Sequence, residues 1–238
     1  MRLYDILLMD ADETLFDFHR AEAEALRQTM AECGVDCTLE VQTLYSQIND
    51  ALWKAFERGE VTKPFLQKAR FTRLFEQLGV NEDGELASKQ YPLHLAEASY
   101  PLPGAEELCK LLTEMGCRLC LTTNGISYVQ RCRLEKSPLK KYFSDENVFV
   151  SEDTGSQKPQ IEYYQYIFDK IKPKDQAWIL AVGDSLSSDI KGGINAGVDT
   201  CWYNPKKINS GNVHPTHEIH TLDELLRVVD PDCKAHLA

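Results

Sequence analysis

A parallel α/β sheet, covered by helices and interrupted after its first strand by a helical insertion, is the fold this sequence predicts, and three observations predict it. Short apolar runs at Ile6-Leu7-Leu8-Met9, Arg118 to Leu121 and Trp178 to Val182 are strand-sized and end in polar residues. From Pro101 onward such runs alternate with segments of helical period, the pattern of a parallel sheet with helices on both faces. Between Phe16 and Pro101 strand-like runs are absent and helical period takes over.

The first run reads as a buried strand and ends in Asp10-Ala11-Asp12-Glu13-Thr14, with two carboxylates two residues apart where the chain turns. Ligands of open α/β sheets bind at the carboxyl ends of the strands. There one carboxylate can attack an electrophile while the other handles a proton. Taken alone, the string is also a plain Asp- and Thr-rich turn.

Four helices follow in the sequence: Arg20 to Glu32, Leu39 to Arg58, Pro64 to Leu78 and Glu85 to Glu97. Each has apolar residues three and four apart, and Gly34, Gly59, Gly79 and Gly84 separate them. Thr62 is placed to cap the third, where Pro64 is tolerated in the first turn. Residues 16–101 therefore read as an inserted helical domain, and residues 1–15 and 102–238 as the core. Pro101-Leu102-Pro103-Gly104 marks the return, followed by a helix over Ala105 to Met115. The alternation then runs through Arg118 to Leu121, Ser127 to Glu135, Asn147 to Val150, Ile161 to Ile171, Trp178 to Val182, Ser187 to Ala196, Thr200 to Tyr203 and Leu222 to Val229. The core is Rossmann-like on this pattern.

Three later segments add chemistry to the strand ends. Arg118 to Leu121 runs into Thr122-Thr123-Asn124-Gly125, small and polar enough to receive an anion. Lys158 places a cation after a loop and before a helix, and Trp178 to Val182 ends in Gly183-Asp184, with Asp189 five residues on. Lys158 alone would be a solvated lysine, and Asp189 alone a first-turn acid favoured by the helix dipole.

Composition narrows the partners. The chain has 238 residues, 26 Lys+Arg and 37 Asp+Glu, a net charge of −11, which offers no cationic excess for a nucleic-acid backbone. A small phosphorylated substrate needs local cations only. No apolar stretch approaches the roughly 20 residues that span a bilayer, and no signal-peptide core is evident at Met1-Arg2-Leu3-Tyr4-Asp5, so a cytoplasmic address and no membrane partner are expected. The eight cysteines are scattered, as thiols of a reducing compartment would be. Cys117 and Cys120 match C-x-x-C but fall within a strand, where residues three apart face opposite sides. His214, His217 and His220 invite a metal, yet no Cys or carboxylate cluster supports them nearby, and an irregular stretch leading into a short strand accounts for them.

The ordered set, Asp10 to Thr14, Thr123, Lys158 and Gly183 to Asp189, resembles the four motifs of the haloacid dehalogenase-like (HAD) superfamily, from residue 10 to residue 189. The resemblance implies an α/β, Rossmann-like HAD core with an inserted four-helix cap, and it assigns roles. Asp10 becomes the nucleophile that forms an aspartyl-phosphate, and Asp12 the general acid and base. Thr123 and Asn124 become phosphate donors, and Lys158 the cation between nucleophile and phosphate. Mg²⁺, with Mn²⁺ as an alternative, is implied on the Asp10 carboxylate, the Asp12 main-chain carbonyl and Asp184, with Asp189 behind them or acting through water.

Glu13 to Phe18, Leu52 to Gly59, Arg70 to Leu74 and Asp189 to Gly197 look like the bacterial pyrimidine 5′-nucleotidases of the YjjG/YfnB type. The expected substrate is then a nucleoside monophosphate, handled by a monomer or weak homodimer. Trp53, Phe56 and Phe71 stack on a base in this reading, or fill the core of the helical bundle. A sugar-phosphate or phosphoglycolate phosphatase, a phosphomutase or a phosphate-binding regulatory protein would share the motifs. The second carboxylate, Asp12, disfavours carbon–halogen hydrolysis.

Overall fold

Strand β1 (Ile6–Asp10) lies at the centre of one six-stranded sheet in this computed structural model, which describes residues 2–81 and 84–233. It pairs in parallel with β2 (Arg118–Thr123) on one side and β4 (Ile179–Gly183) on the other. Beyond them lie β3 (Val148–Val150), β5 (Asp199–Tyr203) and β6 (His217–Ile219), giving the order β3-β2-β1-β4-β5-β6, parallel throughout. The order reverses between β1 and β4, the crevice where α/β sheets bind ligands.

Helices α1 (Phe18–Glu32), α2 (Leu39–Glu57), α3 (Lys63–Leu78) and α4 (Glu85–Glu97) fall between β1 and the rest. The remaining helices are α5 (Ala105–Glu114), α6 (Ser127–Glu135), α7 (Ser151–Thr154), α8 (Ile161–Ile171), α9 (Lys191–Ala196) and α10 (Glu224–Val229). No described helix is long and apolar enough to cross a membrane.

The chain separates into two compact units, one formed by its two ends as far as Phe18 and from Ser99, the other by His19–Ala98. In the sheet-bearing unit the period of two decides which residue meets which layer. Leu7, Met9, Leu119, Leu121, Leu180 and Val182 pack with α5 and α10, whereas Leu8, Cys120, Ile179 and Ala181 pack with Tyr163, Tyr164 and Ile167 of α8. Cys117 and Cys120 accordingly sit in opposite layers as free thiols, which ends any C-x-x-C reading. The two passages that leave and re-enter this unit run side by side: Asp17 donates to the Tyr100 carbonyl at 2.8 Å and Leu102 to that of Leu15 at 2.9 Å.

The helical unit is built on an aromatic centre. Phe71 is wholly buried, with ring centroids 5.3 Å from Tyr45 and 5.4 Å from Tyr91. Thr62 caps α3 by accepting from Phe65 N, with Pro64 in the first turn. Glu22, also buried, accepts from Ser46 Oγ and from Asn49 Nδ2, the latter at 2.8 Å, and Asn49 Oδ1 accepts from Arg70 Nη1 at 3.4 Å.

Several elements differ from expectation. Trp178 is not in a strand; it ends a 3₁₀ turn (Gln176–Trp178) and is 45% exposed. Asn147 likewise closes a 3₁₀ turn before β3, and Pro138–Tyr142 is a 3₁₀ segment that hydrophobic period does not signal. The helix expected over Ser187 to Ala196 is a π turn (Leu186–Ile190) followed by α9. His217 and His220 hold no metal cluster among the described residues: His217 Nε2 meets Tyr4 Oη at 2.9 Å and His220 Nδ1 the Asn204 carbonyl at 2.9 Å.

Candidate active site

The carboxyl ends of β1 and β4, with the loop that carries Lys158, bring Asp10, Asp184, Asp189 and Lys158 to one place. β1 ends on Asp10, which pairs in register with Thr122 of β2. Beyond it the chain turns tightly: Leu15 and Phe16 both donate to the Ala11 carbonyl at 2.9 Å, and Glu13 takes a left-handed φ of 60°. Non-glycine residues held there cost of order 1–3 kcal/mol and cluster at functional sites.

Lys158 is buried and spends its three hydrogens inside the site. Its Nζ donates to Asp10 Oδ1 at 2.6 Å, Asp189 Oδ1 at 2.6 Å and the Thr122 carbonyl at 2.9 Å. The loop that carries it is fastened by Asn124, whose Nδ2 donates to the Lys158 carbonyl and whose Oδ1 accepts from Lys158 N, both at 2.9 Å. Asn124 therefore fastens the backbone at Lys158. Thr123 is buried at the end of β2, and its Oγ1 accepts from Gly125 N at 3.0 Å.

Asp10, Asp184 and Asp189 each place a carboxylate oxygen within 4.8 Å of the others. Asp189 reaches in because the π turn carries it back over Gly183, where a Cβ would stand 2.2 Å from Asp189 Oδ2. Ser185 N donates to that oxygen at 3.0 Å. Trp202 Nε1 donates to the Asp184 carbonyl at 2.8 Å, fixing the backbone there.

Three carboxylates beside one ammonium leave the cluster short of positive charge. Burial, reinforced by Asp189, pushes the Asp10 carboxyl from its ordinary 3.8 up to about 7, with Lys158 pulling the other way. Burial, then Asp10 and Asp189, hold Asp184 well above the carboxylate range. Burial also opposes the charge on Lys158, but Asp10 and Asp189 overcome it and keep the ammonium firmly protonated. The donor set is all oxygen, with no His or Cys, which suits a hard divalent cation.

The Asp12 side chain stands outside this cluster. Gln130 Nε2 donates to its Oδ2 at 2.6 Å and Arg133 Nη1 to its Oδ1 at 2.5 Å. Neither residue was singled out by sequence. The available signal is their spacing of three on the buried face of α6, alongside Val129 and Leu134.

In the helical unit the residues considered for base stacking have other surroundings. Phe71, Phe56 and Arg70 are buried, and the Arg70 guanidinium lies 4.4 Å from the Tyr91 ring centroid. Phe71 is core, so stacking on a substrate is withdrawn for it. Trp53 is half-buried, edge-on to Phe56.

The family model of haloacid dehalogenase-like hydrolases matches residues 4–197. HAD-hydrolase YfnB of Bacillus subtilis is 41% identical over 97% of each chain, and its magnesium-bound crystal structure superposes with a TM-score of 0.89 over 95% of this chain and 99% of that one. Pyrimidine 5′-nucleotidase PynA of Streptococcus pneumoniae is 40% identical over 95% of each chain, and pyrimidine 5′-nucleotidase YjjG of Escherichia coli 34% identical over 93% of this chain and 96% of its own.

Proposed function

The chain belongs to the haloacid dehalogenase-like hydrolases, and from that premise we propose that it is a divalent-cation-dependent phosphomonoesterase for pyrimidine nucleoside 5′-monophosphates, working through an aspartyl-phosphate on Asp10. The observation that carries the chemistry is Asp10 itself: buried at the end of the central strand, with one oxygen pinned by Lys158 and the neighbouring carboxylates in excess of cations. What supports the substrate is the near-full-length similarity to two pyrimidine 5′-nucleotidases. Residues 1–15 and 102–238 form the chemical core in this reading, and residues 16–101 the cap domain.

In the reaction, the Asp10 oxygen left by Lys158 attacks phosphorus while Asp12 delivers a proton to the leaving 5′-oxygen. Asp12 then takes a proton from the water that hydrolyses the aspartyl ester. Lys158 keeps positive charge beside the nucleophile; to touch a phosphate oxygen it exchanges one of its three present contacts. Thr123 serves the phosphate with its hydroxyl. Asp10, Asp184 and the Asp12 carbonyl would hold Mg²⁺ or Mn²⁺, with Asp189 bound to Lys158 behind them. Such a cation supplies the charge that lets an anionic nucleophile approach a phosphate dianion.

Phosphate release with Mg²⁺ is measured across pyrimidine and purine nucleoside monophosphates, hexose phosphates and phosphoglycolate. The highest kcat/KM is expected on a pyrimidine nucleotide, and exhaustive EDTA treatment abolishes turnover until metal is restored. A preference for phosphoglycolate or a hexose phosphate retires the nucleotidase reading and leaves the phosphatase one; full activity without metal retires the cation.

A further inference from the structure

The Asp12 carboxylate is gripped from two sides by side chains of one helix. Both oxygens of its carboxylate are taken, by Gln130 and Arg133, although Asp12 is partly exposed and Arg133 is 0% exposed. The Arg133 guanidinium lies 5.2 Å from the Phe16 ring centroid and 5.9 Å from that of Phe18, and its carbonyl accepts from Ser99 Oγ at 2.7 Å. Gln130 approaches because residue 125 is glycine: a Cβ there would stand 2.2 Å from Gln130 Nε2. An exposed ion pair contributes little, and a buried arginine is costly to desolvate. A guanidinium already fixed by packing is, however, a preorganised fork for a carboxylate.

We propose that Gln130 and Arg133 are positioning residues for Asp12, fixing the orientation from which its carboxyl group exchanges protons during catalysis. The inference rests on the phosphatase reading above. In the first step the bond from Asp10 to phosphorus forms, the bond to the leaving oxygen breaks, and the proton of Asp12 passes to that oxygen. In the second, water oxygen bonds phosphorus, its proton passes to Asp12 and the bond to Asp10 breaks. p-Nitrophenolate is stable enough to leave without the first proton. Losing the positioning therefore slows both steps for a nucleotide and the second step alone for p-nitrophenyl phosphate.

Gln130→Met, Arg133→Lys and Arg133→Met are made in the full chain loaded with Mg²⁺ and assayed on uridine 5′-monophosphate and p-nitrophenyl phosphate, in steady state and over the first turnover. For the nucleotide, kcat falls about 10- to 100-fold with KM within about threefold. First-turnover release of p-nitrophenol stays within about threefold of wild type and is followed by a slower steady state, a burst of one equivalent. Arg133→Lys regains part of the loss. In an Asp12→Asn background none of the changes costs more than about twofold, since the group they position is gone.

Equal losses in every rate, or losses that persist in the Asp12→Asn background, overturn the inference and leave Arg133 and Gln130 as fold residues. If Arg133→Met does not fold, Gln130→Met and Arg133→Lys decide by the same criteria. Wild-type turnover in Asp12→Asn itself would instead refute the phosphatase mechanism. An impaired Asp12→Asn beside unimpaired Gln130 and Arg133 variants would refute this inference alone.

Discussion

In the sheet-bearing unit three carboxylates, Asp10, Asp184 and Asp189, gather around one ammonium, Lys158. In the helical unit one carboxylate, Glu22, is joined through Asn49 to one guanidinium, Arg70, and Ser46 takes its other oxygen. Asp10, Lys158 and Asp189 in the first group and Glu22, Asn49 and Arg70 in the second are buried, yet charge is balanced in the second and in excess in the first. Burial raises the Glu22 carboxyl, while hydrogen bonds from Ser46 and Asn49 restrain the rise. At Asp10 and Asp184 the neighbouring carboxylates add to burial. Buried charge alone does not mark a site; buried charge without its counter-ion does.

The largest effect expected from this contrast is at Asp10. Asp10→Asn removes the nucleophile and one of three crowded carboxylates, so phosphate release should fall by at least about 10⁴-fold while thermal stability holds or rises. Near wild-type turnover by that variant would end the aspartyl-phosphate mechanism. In the helical unit the corresponding severe change is one of packing: Phe71→Ala empties the aromatic centre and should cost about 3–5 kcal/mol in urea unfolding. A loss below about 1 kcal/mol would mean that Phe71 is not core.

The electrostatic half of the contrast is read by pH. Folding raises Asp10 from 3.8 to about 7, so between those values the folded, metal-free protein binds more protons than the unfolded chain. Its contribution to stability is complete below about pH 4 and lost as pH rises through about 7. The melting temperature of metal-free protein should fall across that interval, and Mg²⁺ should remove most of the fall. A metal-free profile that rises with pH instead would contradict the charge excess. The smallest effect belongs to the balanced network: Glu22→Gln, nearly isosteric, should shift stability by about 1 kcal/mol or less and leave p-nitrophenyl phosphate turnover unchanged. A large loss of turnover would place Glu22 in the chemistry and erase the distinction.

Legibility in the sequence does not follow that divide, since readable and unreadable features share the sheet-bearing unit. Strand ends are readable because an apolar run must stop before Asp10, before Thr122 and before Asp184, and parallel strands present those stops at one edge. Gln130 and Arg133 are not, because on a nine-residue helix two polar residues on the buried face look like any partly covered surface pair until the fold supplies Asp12. The π turn was unreadable for a related reason. Ser187 to Ala196 has helical period, and the backbone departs from it where Ser185 N and Lys158 draw in the Asp189 side chain. Phe71 is a case where the pattern favours the outcome found, since an aromatic at helical spacing is more often core than ligand, and its neighbours Tyr45 and Tyr91 place it there.

The outermost strands of the sheet, Val148–Val150 and His217–Ile219, are three residues each, against five or six for the four between them. An all-parallel sheet rich in Val, Leu and Ile would otherwise present, along its margins, a ladder of free amides and carbonyls on which another chain could crystallise strand by strand. Here the margin is too short to seat more than a couple of backbone hydrogen bonds, so the sheet ends before it can be extended. Very short edge strands are one of the means by which a strongly pairing sheet is kept from templating another chain.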